Sequence, residues 1–459
     1  MKQSLKTVQF SCGVTVVMLT LSLMPPLTIG GEQFRKVDFL SDLKPSDKEA
    51  VQDSIQERQC LLPRNANKPE VWPDSVTAIE DYSQGKAGGM NHFYRMLNRR
   101  DSLQRPVRIA FLGDSFIEGD ILAGNLREML QNHFGGNGVG WIDVADKTNR
   151  IRPTVNISAQ GWKEHNAMSK NIDYNRSFFS MRYATPVAGT ACNITLKGTT
   201  YKPHAATWQQ ASVFLSNGGA NTVSVSMESG QGRKSTFQVT SSPRMKMLAH
   251  EGATGNVDIA FTPVSPTDCI LYGVALESKR GIIVDNFSLR GFAGNGIQNA
   301  SRSVMREFAN LRAYDLIILE YGLNTANNRN TDLNYKLYIN KMKTVIGILK
   351  EAYPATSILI MGVPDRSERT SEGFRTMPCI KAMTSYQREL AASEHVSFYS
   401  LFHAMGGKGS MKTYVDRKEA NKDYTHLTFT GGERLARRIY QSFLTGLDHY
   451  NQHNCNLNQ

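Results

Sequence analysis

From residue 281 onward the chain alternates short apolar runs with longer amphipathic stretches, and this rhythm constrains the fold more than any other feature. Apolar runs at 282–285, 314–320, 357–362 and 396–400 are separated by helical patterns at 299–311, 335–353, 380–393 and 433–447. Short strands spaced by helices of this length read as βαβ units. They predict a parallel sheet covered by helices, a three-layer α/β/α domain. One unit of the same kind comes much earlier: an apolar run at 107–112 breaks at Gly113-Asp114-Ser115, and a helical pattern follows to about Phe134. Between that unit and residue 281 the character changes. Short alternating runs at 193–196, 212–215, 222–226, 235–239 and 257–261 are punctuated by Gly, Asn, Pro and Ser. Many short strands with turn signals predict an all-β sandwich or jelly roll. The expected organisation is therefore a discontinuous α/β domain (89–149 and 281–450) split by a β module at 150–280. An extended segment at 31–88 precedes it and a tail at 451–459 follows.

The first residues carry Lys2 and Lys6, then a mainly apolar run at 14–23, then Pro25-Pro26 and the small residues Gly30-Gly31. That order predicts a secretory signal peptide over residues 1–30, with an uncleaved anchor as the alternative. Export to a periplasm or cell envelope follows as an expectation. The formal net charge of +12 comes from basic residues scattered along the chain and not gathered into a stripe with aromatics, which argues against nucleic acid as a partner. None of the six cysteines shows metal-ligand spacing. The sequence permits a Cys192–Cys269 bridge inside one module but does not establish it.

Three later stretches fall at or beyond strand ends, the edge at which open α/β folds hold their ligands. They are Arg290-Gly-Phe-Ala-Gly-Asn-Gly296, Tyr321-Gly-Leu-Asn324 and Lys422-Asp-Tyr-Thr-His426. The last precedes a capping box at Thr430 and Glu433, which predicts a final helix from about Gly431. A serine hydroxyl needs a base to take its proton, and a carboxylate on the far nitrogen of an imidazole fixes the tautomer that can do so. Asp423 and His426, three residues apart in a loop, suit that pairing. For Gly113-Asp-Ser115 alone the plain alternative is a turn in which Asp114 or Ser115 bonds local backbone N–H groups. The glycines at 291, 294 and 296 do not follow the dinucleotide fingerprint, and neither a P-loop lysine nor a zinc-protease motif occurs. No cofactor or metal is expected.

These blocks, in this order, resemble the SGNH (GDSL-like) hydrolase family. Gly113-Asp-Ser115 looks like its first block, the turn at Gly294 its second, Gly322-Leu-Asn324 its third and Asp423-x-x-His426 its last. The resemblance implies Ser115 as nucleophile, His426 as general base and Asp423 as the carboxylate that orients it. It also implies an oxyanion site formed by the N–H groups of Ser115 and Gly294 with the Asn324 amide, Gly291 and Gly296 competing for the glycine role. Phe116 stands where the family often has Leu, and Thr325 where Asp often follows the Asn.

A β module inserted after the first block is similar to the arrangement in bacterial peptidoglycan O-acetylesterases and related polysaccharide esterases. That resemblance implies an acetylated glycan as substrate, peripheral association with the cell envelope, and an insert akin to a carbohydrate-binding module. Trp162, Tyr201 and Trp208 are the aromatics expected either to stack on sugar rings or to fill the sandwich core. Two alternatives stay open. One is a glycan O-acetyltransferase, which would work with a membrane acyltransferase partner; the other is a non-catalytic glycan-binding protein.

Overall fold

The computed structural model describes residues 28–29, 32–33, 72–169, 181–230, 232–262 and 269–457. The chain divides into two units, 1–60 and 61–459. In the first, Thr28–Ile29 and Glu32–Gln33 form a short antiparallel pair. Most of the expected signal peptide and most of the 31–88 segment lie outside the described residues. Among the described residues no helix is long and apolar enough to cross a membrane.

The second unit is built on a six-stranded sheet, numbered here in chain order: β1 Ile79–Asp81, β2 Val107–Gly113, β3 Ile282–Ser288, β4 Leu316–Glu320, β5 Ser357–Gly362 and β6 Ser397–Ser400. Their order across the sheet is β3-β2-β4-β5-β6-β1. β2 to β6 are parallel, and β1 pairs antiparallel on the β6 edge. Without β1, the order is that of a flavodoxin-like sheet, and the chain reverses direction across the sheet at β2. β2 is buried at every residue, as its unbroken apolar run requires of a strand covered on both faces. Each Leu or Ile fully buried there contributes roughly 1.5–3 kcal/mol.

The expected helices form at Asn91–Asn98, Ala123–Phe134, Arg302–Leu311, Asp332–Ala352, Pro378–Ser393 and Phe429–Leu457. Three local features differ from the sequence reading. The helix after Ser115 does not run on from Asp120: a 3₁₀ turn at Glu118–Asp120 holds both Gly119 and Asp120 at positive φ before the regular helix begins. The last helix starts at Phe429 and not near Gly431, because Thr428 Oγ1 accepts from the Gly431 N–H at 3.4 Å; Thr428, not Thr430, is the cap. The stretch after Pro364, between the run at 357–362 and the helical pattern from 380, carries a β-hairpin of Ser367–Thr370 and Gly373–Thr376.

Residues between β2 and β3 supply two antiparallel sheets. One contains Ser242–Thr254, Trp208–Asn217, Cys269–Glu277, Arg182–Pro186 and Trp162–Asn166, with Gly140–Ile142 also pairing on Cys269–Glu277. The other contains Lys234–Val239, Val223–Ser229, Asn256–Thr262, Cys192–Gly198 and Val155–Gln160. Alternating residues of both, among them Ile194, Leu196, Val213, Leu215, Val225 and Met227, share one apolar cluster. The strand Gly140–Ile142 enters this sheet ahead of residue 150.

The inserted sheets and the main sheet are joined by buried contacts. Trp141 packs on Phe214, Phe287 and Phe308 with centroids 5.2–5.5 Å away. Glu277 receives Arg108 at 2.6 Å and Arg312 at 2.9 Å, while Arg312 also bonds Asp285. Cys192 and Cys269 are not bridged: they stand on different sheets, and the Cys192 thiol donates to the Gly161 carbonyl at 3.1 Å.

Candidate active site

Three adjacent parallel strands end level with one another. Gly113 of β2 lies in register with Ser288 of β3 and Glu320 of β4, so the segments that follow, carrying Ser115, Gly294 and Asn324, leave the same edge of the sheet. The β2–β4 junction is the switch point at which such sheets hold ligands. The turn after β2 is tight. A Cβ on Gly113 would meet Ile117 at 2.8 Å and the Glu320 carboxylate at 2.9 Å. Asp114 Oδ1 accepts the Phe116 N–H at 2.9 Å, the local bond anticipated for a plain turn. The fully buried Asp120 then fixes the turn to the insert, accepting from Arg152 Nε at 2.9 Å, from Thr154 Oγ1 at 2.6 Å, and from Arg127 and Asn286. Although burial opposes its charge, Arg127 and Arg152 hold its carboxyl well below the usual range.

The loop before the last helix faces this turn. It is closed by an antiparallel bridge between Ala420 and Leu427 and by the Asn421 N–H to His426 carbonyl bond of 2.8 Å. His426 Nδ1 lies 2.7 Å from Asp423 Oδ2, and His426 Nε2 lies 3.0 Å from Ser115 Oγ. With the ring proton on the nitrogen that faces the carboxylate, Nε2 is the acceptor for the Ser115 hydroxyl. Asp423 Oδ1 also accepts the N–H groups of Thr425 and His426, each at 3.0 Å. Partial burial works against its charge, but these hydrogen bonds outweigh it and keep the carboxyl below its ordinary value. Four of the five expected residues thus share one connected set of contacts: Asn324 enters it because its Nδ2 donates to Asp114 Oδ2 at 2.7 Å, next to Ser115.

Gly294 lies in the adjoining segment, and two constraints make glycine necessary there. Its φ is +79°, and a Cβ would stand 2.4 Å from the Tyr321 ring. Gly291, at φ +76°, would meet Met168 alone among the described residues, at 3.8 Å.

Sequence reasoning passed over several groups. Asp114 is fully buried, and desolvation pushes its carboxyl up to about 6 against the bonds from Phe116 and Asn324. Glu320 lies beneath the same turn, and neither of its oxygens makes an ordinary hydrogen bond among the described residues. Burial, and then the charge of Asp114, raise it well above the carboxylate range. Glu118 is buried and pairs with the exposed Arg290, and burial raises its carboxyl too. The signal for Asp114 and Glu118 was the density of acids around Ser115 in a run otherwise apolar, and for Glu320 an acid at the end of an apolar strand. Among the described residues no group of three or more His, Cys, Asp or Glu is arranged to hold a metal ion.

The three aromatics singled out in the insert part company. Trp208 is core, Trp162 packs edge-on against Phe261 at 4.9 Å, and Tyr201 is 46% exposed beside Phe429.

No family model and no curated protein sequence matches the chain. Among solved structures it is similar to a peptidoglycan O-acetylesterase, with a TM-score of 0.66 and 22% identity over 81% of this chain and 99% of that one. The chain therefore shares the fold of that O-acetylesterase. A shared 81% is more than the α/β parts alone supply, so the likeness extends into the inserted sheets. A family two carbohydrate esterase from Cellvibrio japonicus aligns with a TM-score of 0.27 and 11% identity over 64% of this chain and 98% of that one. A GDSL-like lipase from Parabacteroides merdae aligns with a TM-score of 0.27 and 17% identity over 36% and 74%. Both superpose too loosely to bear on the site.

Proposed function

We propose that this protein is an exported serine esterase that removes O-acetyl groups from a glycan through Ser115, His426 and Asp423. The observation that carries the reading is the continuous contact from Ser115 Oγ to His426 Nε2, 3.0 Å, and from His426 Nδ1 to Asp423, 2.7 Å. His426 takes the hydroxyl proton as Ser115 Oγ attacks the acetyl carbonyl. The tetrahedral oxyanion is received by the N–H groups of Ser115 and Gly294 and by the Asn324 amide. Asn324 spends one N–H on Asp114; the other, 3.4 Å from the Phe292 carbonyl, is weakly held and free to turn to the oxyanion. As the intermediate collapses, His426 returns the proton to the departing sugar hydroxyl and Ser115 keeps the acetyl group. A water deprotonated by His426 then releases acetate.

Likeness in fold to a peptidoglycan O-acetylesterase supports an acetylated cell-envelope glycan as the substrate. The two inserted antiparallel sheets support a carbohydrate-binding-like module in which Tyr201 is the aromatic left free to meet sugar. The test is acetate release over a panel of acetylated peptidoglycan, xylan and other glycans, beside Ser115→Ala. Release that persists in the variant overturns the mechanism, and release from none of the panel overturns the substrate class.

A further inference from the structure

The loops that carry Asn324 and His426 are held by two consecutive residues. Arg366 follows β5 and opens the hairpin. Its guanidinium donates through Nη1 to the Leu323 carbonyl at 3.2 Å and through Nη2 to the Ala326 carbonyl at 2.7 Å, on either side of Asn324. Its Nε faces Met377 Sδ at 3.0 Å, at the far foot of the hairpin, where the Met377 N–H also bonds the Arg366 carbonyl. The next residue, Ser367, gives its N–H to the Tyr424 carbonyl at 3.2 Å. Tyr424 sits between Asp423 and His426 at φ +54°, a conformation a tyrosine keeps only when its surroundings hold it. Across the hairpin, the Phe374 ring stacks on Tyr424, 3.9 Å between centroids and 15° between planes.

We propose that Arg366 is a positioning residue: by gripping the carbonyls on both sides of Asn324 while its neighbour holds the His426 loop, it sets the oxyanion donor against the base. The inference rests on the esterase reading above. An oxyanion donor must lie within about half an ångström of its place, and a misplacement near 1 Å costs about a hundredfold in rate. A planar guanidinium reaches two carbonyls at once, which an ammonium cannot. The Asn324 loop has its own turn bonds, from the N–H groups of Thr325 and Ala326 to the Gly322 carbonyl at 2.9 and 2.8 Å, so removing the clamp shifts the loop without unfolding it.

The experiment is a double-mutant cycle on the full chain with p-nitrophenyl acetate. Arg366→Met should lower kcat by about tenfold to a hundredfold with KM changed less than about twofold. In an Asn324→Ala background the same change should cost less than about twofold, because the donor it places is already gone. Arg366→Lys, able to serve one carbonyl, should fall between wild type and Arg366→Met, and it carries the test if the Met variant does not fold. Equal losses in both backgrounds, a change confined to KM, or wild-type kcat in a folded variant overturns the inference. Failure of the wild-type protein both to hydrolyse the ester and to be labelled at Ser115 by a fluorophosphonate overturns the esterase reading, and this inference falls with it.

Discussion

The amide of Asn324 donates to the carboxylate of Asp114 across 2.7 Å, tying the end of one parallel strand to the turn of its neighbour. The residue beside the proposed nucleophile thereby orients the side chain proposed to receive the oxyanion. Neither residue carries that relation alone, and it gives the acid of the Gly113-Asp-Ser115 turn a task beyond bonding the Phe116 N–H.

Replacing Asp423 tests the base. Asp423→Asn should lower kcat by about three to four orders of magnitude, since an amide does not fix the imidazole proton on Nδ1. The carboxylate is half exposed, so the thermal midpoint should move little. Acetate-release kinetics beside a melting curve checks both, and a loss of activity that merely tracks a loss of fold counts against the role.

The two glycines separate by substitution. Gly294→Ala places a methyl 2.4 Å from the Tyr321 ring at positive φ, and kcat should fall at least about tenfold as the loop moves. Gly291→Ala makes only an ordinary contact with Met168 at 3.8 Å, so it should cost about 1–2 kcal/mol of backbone strain and little rate. Comparable kcat losses in the two variants would show that the oxyanion glycine is not singled out by this geometry.

Asp114 predicts a pH dependence of stability. Its folded pKa is raised from 3.8 to about 6, chiefly by desolvation, so the folded state holds the proton more tightly than the unfolded chain. Its contribution is fully present below 3.8 and is lost as pH rises through about 6. Asp114→Asn cannot titrate, so its melting temperature should gain on the wild type as pH goes from 4.5 to 7.5, whatever the constant offset. A difference that stays flat over that range removes Asp114 as the titrating group.

Glu277, buried between Arg108 and Arg312, predicts the opposite sign. Burial opposes its charge, but the two guanidinium groups hold the carboxyl down to about 2 from 4.5. The stability it supplies is present above 4.5 and is lost as pH falls through about 2. Glu277→Gln leaves two buried cations short of a partner and should cost about 3–5 kcal/mol in urea unfolding at pH 7. A loss under about 1 kcal/mol would show that the pairs are not what joins the inserted sheets to the main sheet.

Much of the architecture was legible because periodicity is local. The unbroken apolar run of β2 and the 3.6-residue spacing of the later helices depend only on neighbours in sequence, and so do the turn residues that mark the inserted strands. The residues Ser115, Asn324, Asp423 and His426 were legible as types at strand ends and in a loop. The sequence could not reveal which distant groups meet. Thr428 and not Thr430 caps the last helix because the backbone enters it from the bridge at Ala420 and Leu427. The hairpin after Pro364 is short and polar, and it is set by the stack of Phe374 on Tyr424 and the grip of Arg366 on the Asn324 loop. Glu320 reads as the polar end of an apolar strand, yet parallel pairing buries it under Asp114, where desolvation and the neighbouring carboxylate raise its carboxyl. Sequence alone determined the α/β rhythm, its interruption and the kinds of group available for chemistry, since each follows from covalent neighbours. Tertiary structure alone decided how those groups are aimed and how far their carboxyls are shifted, since burial and pairing act between residues far apart in the chain, Ser115 and His426 being 311 positions apart.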